Sequence, residues 1–153
     1  MGASAAYVDA EEKTDVDVSY CSAYDPDDCG SDGCKCEKTR DGNFASYSRW
    51  SCAYDISGKS CEVCYTFDEP QDIRWLKMAL YKGDERTRTF EVKLDNTNGV
   101  DDKDFEFTSG GYTEGFEYYT LDSDETQELC IEPKGLSESE WFSVIEMEFM
   151  VLE

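Results

Sequence analysis

Apolar and polar residues alternate in short runs along most of the chain, and turn-forming residues separate the runs. Residues 89–94 and 147–151 have the two-residue period of half-buried strands, and Asn98-Gly99 is a strong turn signal between two such runs. Aromatic residues, which favour sheets, make up 14% of the chain, and no stretch has a convincing helical period. About eight short strands with a turn every eight to twelve residues predict an all-β sandwich.

Two regions fall outside this pattern. Residues 1–14 are small and charged without a period, so we expect a flexible N-terminal tail before a single domain at residues 15–153. Residues 21–60 are polar and contain several glycines. A loop of this length is uncommon in a compact domain unless it is functional or held by cross-links, so we expect disulfides to hold it.

One strand is predicted before this loop and one after it. In the strand before the loop, Val16, Val18 and Tyr20 share one face. The strand after the loop spans 61–67, and residues 68–70 are expected to end it. A charged corner at 82–86 separates two further runs within 73–94. The complete prediction is strands at 15–20, 61–67, 105–107, 116–121, 128–132 and 141–152, together with the two runs that flank the corner.

The charge balance excludes several classes of function. Thirty-six acidic residues against fourteen basic ones give a net charge of −22, a field that repels nucleic-acid phosphates and anionic membrane surfaces. No apolar run approaches the ~18 residues of a membrane span, so no membrane insertion is expected. The chain has no histidine, which disfavours Ser-His-Asp and Cys-His enzymes, and we expect no catalytic activity. The acidic surface fits a solubilising role or, as an alternative, a cation-loading matrix protein.

An even number of cysteines, most of them in the first 64 residues, predicts a disulfide framework and therefore a secreted protein. Eight cysteines allow about 105 pairings, so counting does not assign them. Cys52 and Cys61 flank a short loop and form the best pair. Cys64 and Cys130 lie on the outward faces of their strands and can bridge if those strands are neighbours. The remaining four, Cys21, Cys29, Cys34 and Cys36, are expected to hold the long loop.

A structural zinc site is the competing interpretation of the cysteines. It would use Cys34, Cys36, Cys61 and Cys64, whose Cys-x-Cys and Cys-x-x-Cys spacings are weak signals for zinc.

Four segments, at 48–52, 65–73, 79–86 and 141–148, occur in an order that resembles a discoidin, or coagulation factor V/VIII type C, domain. They are most similar to family 32 carbohydrate-binding modules and to related modules attached to alginate lyases and other polysaccharide lyases. The resemblance covers residues 15–152. It implies an eight-stranded jelly-roll sandwich that binds a ligand and does not catalyse a reaction.

The resemblance also implies a structural calcium ion between the long loop and the last strand. The segment Asp41-Gly42-Asn43, the hydroxyl of Ser48 and the carboxylate of Glu146 match the family's pattern, with Ser46 as the substitute for Ser48. Calcium takes six to eight oxygens, so carbonyls near Lys38 and Ile145 would complete the shell. A second acidic segment at 25–33 lacks the glutamate and the flanking helices of an EF-hand, and is interpreted as a solvated loop.

Sugar-binding modules of this fold recognise their ligands through loops at one end of the sandwich, so the ligand site is placed at the charged corner. The polar candidates are Lys82, Asp84, Arg86 and Arg88, and the aromatic candidates are Tyr112 and Trp141. Each has a structural alternative. Arg86 and Arg88 are in phase with Phe90 and could instead form an ion pair with Asp84 or Glu148, and Trp141 could cap the core.

The function that follows is a secreted, calcium-stabilised module that binds an extracellular or cell-wall polysaccharide. The alternative is a structural or adhesive domain that uses the same loops to bind an extracellular protein.

Overall fold

The computed structural model describes residues 13–23, 36–45, 49–53, 62–96, 103–121, 125–134 and 141–152. Within these ranges the chain forms ten strands and a short 3-10 helix, Cys36–Arg40. The strands are β1 (Lys13–Asp15), β2 (Val18–Ala23), β3 (Trp50–Ala53), β4 (Val63–Gln71), β5 (Trp75–Leu80), β6 (Thr89–Asn96), β7 (Lys103–Thr108), β8 (Glu117–Thr120), β9 (Thr126–Lys134) and β10 (Trp141–Leu152).

The described strands form two antiparallel sheets. The first has the order β1-β10-β5-β8, with β3 also paired to β10, and the second has the order β2-β4-β9-β6-β7. Their apolar faces meet in a core that includes Phe90, Phe142 and Phe149. The Phe149 ring contacts Tyr65 at 4.8 Å and Phe67 at 5.3 Å between centroids, which joins β10 to β4 across the sandwich. The predicted all-β sandwich is therefore confirmed.

The predicted first strand is in fact two strands in different sheets. Asp15 ends β1, which pairs with β10, and Val18 begins β2, which pairs with β4. A register shift follows Val18, and Tyr20 is 65% exposed while Val16 is buried. The prediction that Val16, Val18 and Tyr20 share one face of a single strand is wrong, because the chain changes sheets between Asp15 and Val18. Lys13 lies opposite Leu152, so strand pairing starts inside the predicted tail, of which residues 1–12 lie outside the described ranges.

Strand β4 continues through Pro70 to Gln71, so the prediction that residues 68–70 end it is wrong. The pairing of β4 with β9 is irregular between Thr66 and Gln71, and a proline is tolerated at such a bulge because no ladder hydrogen bond needs its missing N–H. Strand β3 lies inside the predicted long loop and was missed, since four residues are too few for a period to show.

The corner at 82–86 carries the chain from β5 in one sheet to β6 in the other. Its turn is closed by bonds from the Gly83 N–H to the Leu80 carbonyl and from the Arg86 N–H to the Lys82 carbonyl, both 3.0 Å. A Cβ atom on Gly83 would lie 2.4 Å from the Thr113 carbonyl oxygen. Only glycine therefore lets the β7–β8 loop pack against this corner.

Two disulfides join described residues. Cys64 and Cys130 lie directly opposite each other on β4 and β9 and are bonded, as predicted. Cys21 on β2 is bonded to Cys36 at the start of the 3-10 helix, which holds one part of the long loop. Cys52 is also disulfide-bonded, and the predicted partner Cys61 lies outside the described residues, as do Cys29 and Cys34.

The zinc interpretation is wrong, because Cys36 and Cys64 belong to two different disulfides and offer no thiolate. Glu37 and Glu62 each lie beside one of these disulfides, so neither group of cysteine and carboxylate side chains forms a thiolate metal site.

Candidate functional site: a loop surface and an acidic junction

Two connections meet at one end of the sandwich and form a single surface, here called the loop surface: the corner with its continuation to residue 88, and the β7–β8 loop at 109–116. The Ser109 N–H donates to the Arg88 carbonyl at 2.9 Å, and the Arg88 N–H donates to the Ser109 hydroxyl at 2.8 Å. Gly111 (φ +74°) lies against Thr87, and a Cβ atom there would be 2.9 Å from the threonine methyl carbon. The predicted residues Lys82 and Tyr112 are therefore brought to the same surface.

The ring of Tyr81 holds together the cations of this surface. The Arg49 guanidinium lies 4.5 Å from the ring centroid, the Arg86 guanidinium 5.5 Å and the Lys82 ammonium 5.7 Å. These distances are within the range of cation–π attraction. The sequence analysis missed Tyr81 and Arg49, although both lie in segments that carried the discoidin resemblance.

The Arg88 side chain forms hydrogen bonds within the fold. Its Nε donates to the Trp141 carbonyl at 2.8 Å and one terminal nitrogen donates to the Thr87 carbonyl at 2.9 Å. The proposed pairing with Glu148 is wrong, because Glu148 forms its ion pair with Lys77 at 3.0 Å. Arg88 therefore fastens the corner to the start of β10, and half-buried Trp141 takes part through its backbone.

Tyr112 presents the most exposed large apolar side chain among the described residues, at 70%. Its ring lies over Gly110, where a Cβ atom would come within 2.2 Å of a ring carbon. The carboxylate of Glu117 accepts the Gly110 N–H at 3.0 Å and the Tyr119 hydroxyl. The charge of Glu117 and its hydrogen bond to the Tyr112 hydroxyl raise the pKa of Tyr112. Glu117, which was not predicted, thus positions the exposed ring.

At the 3-10 helix, carboxylates come together instead of cations. We call this group, formed by Asp41, Gly42, Asn43 and Glu146, the acidic junction. The Gly42 N–H donates to Glu146 Oε1 at 3.0 Å, and the Asn43 N–H donates to Asp41 Oδ1 at 3.0 Å. The structure therefore brings together three of the four predicted metal ligands, while Ser48 and its substitute Ser46 lie outside the described residues.

Arg40 holds the junction in place. Its guanidinium donates to Asp15 Oδ1 at 2.9 Å, to the Met147 carbonyl at 2.8 Å and to the Val16 carbonyl at 3.0 Å. The Asp15 carboxylate also accepts the Phe149 N–H at 3.0 Å. These bonds fasten the end of the 3-10 helix to β10, and so place Asp41 beside Glu146.

Glu146 is buried, with 4% of its surface exposed. Burial, followed by its hydrogen bond with Asp41 and the negative charge of that residue, raises the pKa of Glu146 to about 8. Two carboxylates that are hydrogen-bonded to each other require a shared proton, or a cation in its place. The oxygen donors of Asp41, Asn43 and Glu146 are those that calcium prefers, so these residues fit a calcium ion.

An open groove of about 550 Å³ lies beside the junction. Its lining includes exposed Tyr20 together with Asp17, Glu37, Arg40 and Asp41. Sequence reasoning missed this groove because it placed Tyr20 on the same strand face as Val16 and Val18 and did not consider it as a surface residue.

No protein-family model and no curated protein matches the sequence. Solved structures do match. A truncated AlyQ with CBM32 and alginate lyase domains aligns with a TM-score of 0.74 and 24% identity over 93% of this chain, which spans 34% of that chain. The CBM32 of AlyQ in complex with 4,5-unsaturated mannuronic acid aligns with a TM-score of 0.71 and 25% identity, covering 89% of this chain and 97% of that one.

The family 32 module of C. perfringens NanJ, solved in complex with galactose, aligns with a TM-score of 0.69 and 16% identity over 92% of this chain and all of its own length (100%). With its two antiparallel sheets and end loops, the protein has the β-sandwich fold of these modules. Its fold is that of the F5/8 type C, or discoidin, domains and the family 32 carbohydrate-binding modules.

Proposed function

We propose that this chain is a non-catalytic carbohydrate-binding module that binds an extracellular polysaccharide through the loop surface. The observation that carries the proposal is the exposed Tyr112 ring, held by Glu117 beside the polar groups of the corner. Sugar recognition needs this combination, because a ring covers the sugar's C–H face while polar groups bind its hydroxyls. Modules of the same fold solved with mannuronic acid or galactose support the assignment.

A calcium ion at the acidic junction is part of the proposal. Asp41, Asn43 and Glu146 would hold it, and it would replace the proton that the two carboxylates otherwise share. Because β10 and the 3-10 helix meet at this point, the ion would stabilise the fold by joining these two elements. A calcium concentration 100 times the Kd would add about 2.7 kcal/mol to the free energy of unfolding.

An extracellular location completes the proposal. The Cys21–Cys36 and Cys64–Cys130 bonds are of the kind that forms in oxidising compartments. None of the described residues forms a helix with the length and hydropathy of a membrane span.

The binding proposal is tested by isothermal titration with a panel of soluble plant, algal and bacterial polysaccharides. We expect Tyr112→Ala to lower the affinity about 3- to 10-fold, since an aromatic contact contributes about 0.5–1.5 kcal/mol. Tyr20→Ala is the matched control, because it removes a tyrosine of similar exposure from the groove beside the junction. Loss of binding in Tyr20→Ala alone would contradict the assignment of the loop surface. Binding of an extracellular protein without any glycan would favour the adhesive alternative.

The calcium proposal is tested by thermal unfolding with calcium and with a chelator. Calcium should raise the melting temperature of the wild type by about 5–10 °C and leave that of Glu146→Gln unchanged. Equal melting temperatures of the wild type in the two conditions would contradict it.

A further inference from the structure

Five of the basic side chains that the structure describes are paired with a carboxylate. Arg40 pairs with Asp15, Arg74 with Asp72 and Lys77 with Glu148, each at 2.9–3.0 Å. Lys93 and Lys134 share Glu132 at 3.1 and 2.9 Å on the outer face of the second sheet. Such pairing is expected in a chain with a net charge of −22, where carboxylates greatly outnumber cations.

Lys82 and Arg86 depart from this pattern. Within the described part of the chain, neither has a carboxylate at salt-bridge distance, although Asp84 and Glu85 lie in the same turn. Their contact is instead with the ring of Tyr81, which leaves the positive charges unneutralised. Lys82 also has a φ of 55°, a backbone conformation that long side chains seldom adopt. Strain of this kind persists where the fold holds a side chain in a required place.

The local charge of the loop surface decides what it attracts at close range. At physiological ionic strength the screening length is about 8 Å, so carboxylates farther away are largely hidden from a bound ligand. A ligand on Tyr112 is therefore acted on mainly by nearby groups. These are the Glu117 carboxylate, which is hydrogen-bonded to Tyr112, and the three cations on the Tyr81 ring, Lys82, Arg86 and Arg49. Guanidinium and ammonium groups prefer carboxylates over hydroxyls, because hydrogen bonds between charged partners are about twice as strong.

We infer that the loop surface selects acidic sugars, with Lys82 and Arg86 binding the carboxylate of a uronic acid while Tyr112 contacts the sugar ring. This inference rests on the proposed function and names its substrate class. Lys82 and Arg86 would attract the ligand's carboxylate at contact distance, whereas the net negative charge of the protein repels an acidic ligand at longer range. Binding should therefore depend on contact at the corner and not on general attraction.

The experiment compares short oligouronates, both mannuronate and galacturonate, with the same oligomers after reduction of their carboxyl groups to alcohols. Titration calorimetry on the whole chain should show at least 10-fold tighter binding of one acidic oligomer than of its reduced form. The double variant Lys82→Gln/Arg86→Gln should lose at least 10-fold in affinity for that acidic oligomer and change little toward the reduced one. Its thermal unfolding should match the wild type, because no ion pair is removed.

Lys93→Gln/Lys134→Gln is the matched control, since it makes the same change in net charge on the outer face of the second sheet. It should bind the acidic oligomer like the wild type, and an equal loss in both double variants would overturn the inference. Equal affinity for the acidic and reduced oligomers would overturn the inference and leave the proposed function standing. A sulfated neutral oligomer that binds as tightly as the uronate would overturn the selectivity for carboxylates. If no oligosaccharide binds at all, the proposed function fails as well.

Discussion

The loop surface and the acidic junction deal with unneutralised charge in opposite ways. At the loop surface, Lys82 and Arg86 lie at least partly in solvent on an aromatic ring and keep their charges without a carboxylate partner. At the junction, Glu146 is buried beside Asp41, and its carboxylate is kept protonated to unusually high pH. Solvent supports a lone charge, whereas burial removes that support, so a buried carboxylate pair must take up a proton or a cation. The comparison separates a surface suited to ligand binding from a site suited to holding the fold together.

The largest expected effect concerns the junction in calcium-free protein. The pKa of Glu146 is raised from 4.5 to about 8, so the folded state keeps a proton that the unfolded chain loses near pH 4.5. Its contribution to stability is therefore fully present below pH 4.5 and is lost as the pH rises through 8, by an amount on the order of 4 kcal/mol. Glu146→Gln should remove this decline. Denaturant unfolding in chelator between pH 4.5 and 8.5 measures it, and parallel curves for the two proteins would contradict it.

A smaller loss of stability is expected from alanine substitution of one glycine in each region, Gly83 at the loop surface and Gly42 at the junction. In Gly83→Ala the new methyl group would meet the Thr113 carbonyl oxygen at 2.4 Å, so the β7–β8 loop must move away from the corner, at a cost of about 2–3 kcal/mol. Gly42→Ala meets no atom within 4 Å and has only its φ of +73° to accommodate, at about 1 kcal/mol. Urea unfolding should rank the variants in this order, and only Gly83→Ala should also weaken glycan binding. The reverse ranking would show that the two loops are not packed as described.

The smallest expected loss of stability distinguishes two arginines of the loop surface, Arg86 and Arg88. Arg88→Met removes charged hydrogen bonds to the Trp141 and Thr87 carbonyls and should lower the free energy of unfolding by about 1.5 kcal/mol. Arg86→Met removes a cation with no carboxylate partner and should cost at most about 0.5 kcal/mol. Chemical unfolding of both variants gives the comparison. Equal losses would mean that Arg86 is structural too.

Elements that depend on local pattern alone were predicted well. Strand β10 was placed at Trp141–Leu152 from its alternation. A strand was also predicted at 61–67, and its alternating apolar residues Val63, Tyr65 and Phe67 are buried. The Cys64–Cys130 bond was also predictable, because it requires only that two outward residues lie on neighbouring strands. Between β1 and β2 the chain passes from one sheet to the other. The alternation in the sequence continues across this change, but residues two apart no longer lie on the same face of one sheet. For this reason the face of Tyr20 was predicted wrongly.

The candidate site was predicted only in part, because residue types are visible in the sequence and long-range contacts are not. Lys82, Arg86 and Tyr112 were named from their residue types and their place in a resembling sequence, and the structure brings them to one surface. Arg88 was correctly considered for a structural role, but its partner is a backbone carbonyl, and no side-chain pattern reveals that. Arg49 is far from Tyr81 in sequence, and only the pairing of β3 and β5 with β10 brings them together.

The sequence by itself determined the sheet character, the buried faces of most strands and the chemistry available at the corner and the junction. Alternation and residue type are local properties, and they do not depend on where a strand lies in the fold. The tertiary structure alone decided which sheet each strand joins, which cations keep a carboxylate partner and which carboxylates lose contact with water. Those outcomes depend on distances between residues far apart in the chain: Asp41 and Glu146 become one site only when the 3-10 helix packs on β10.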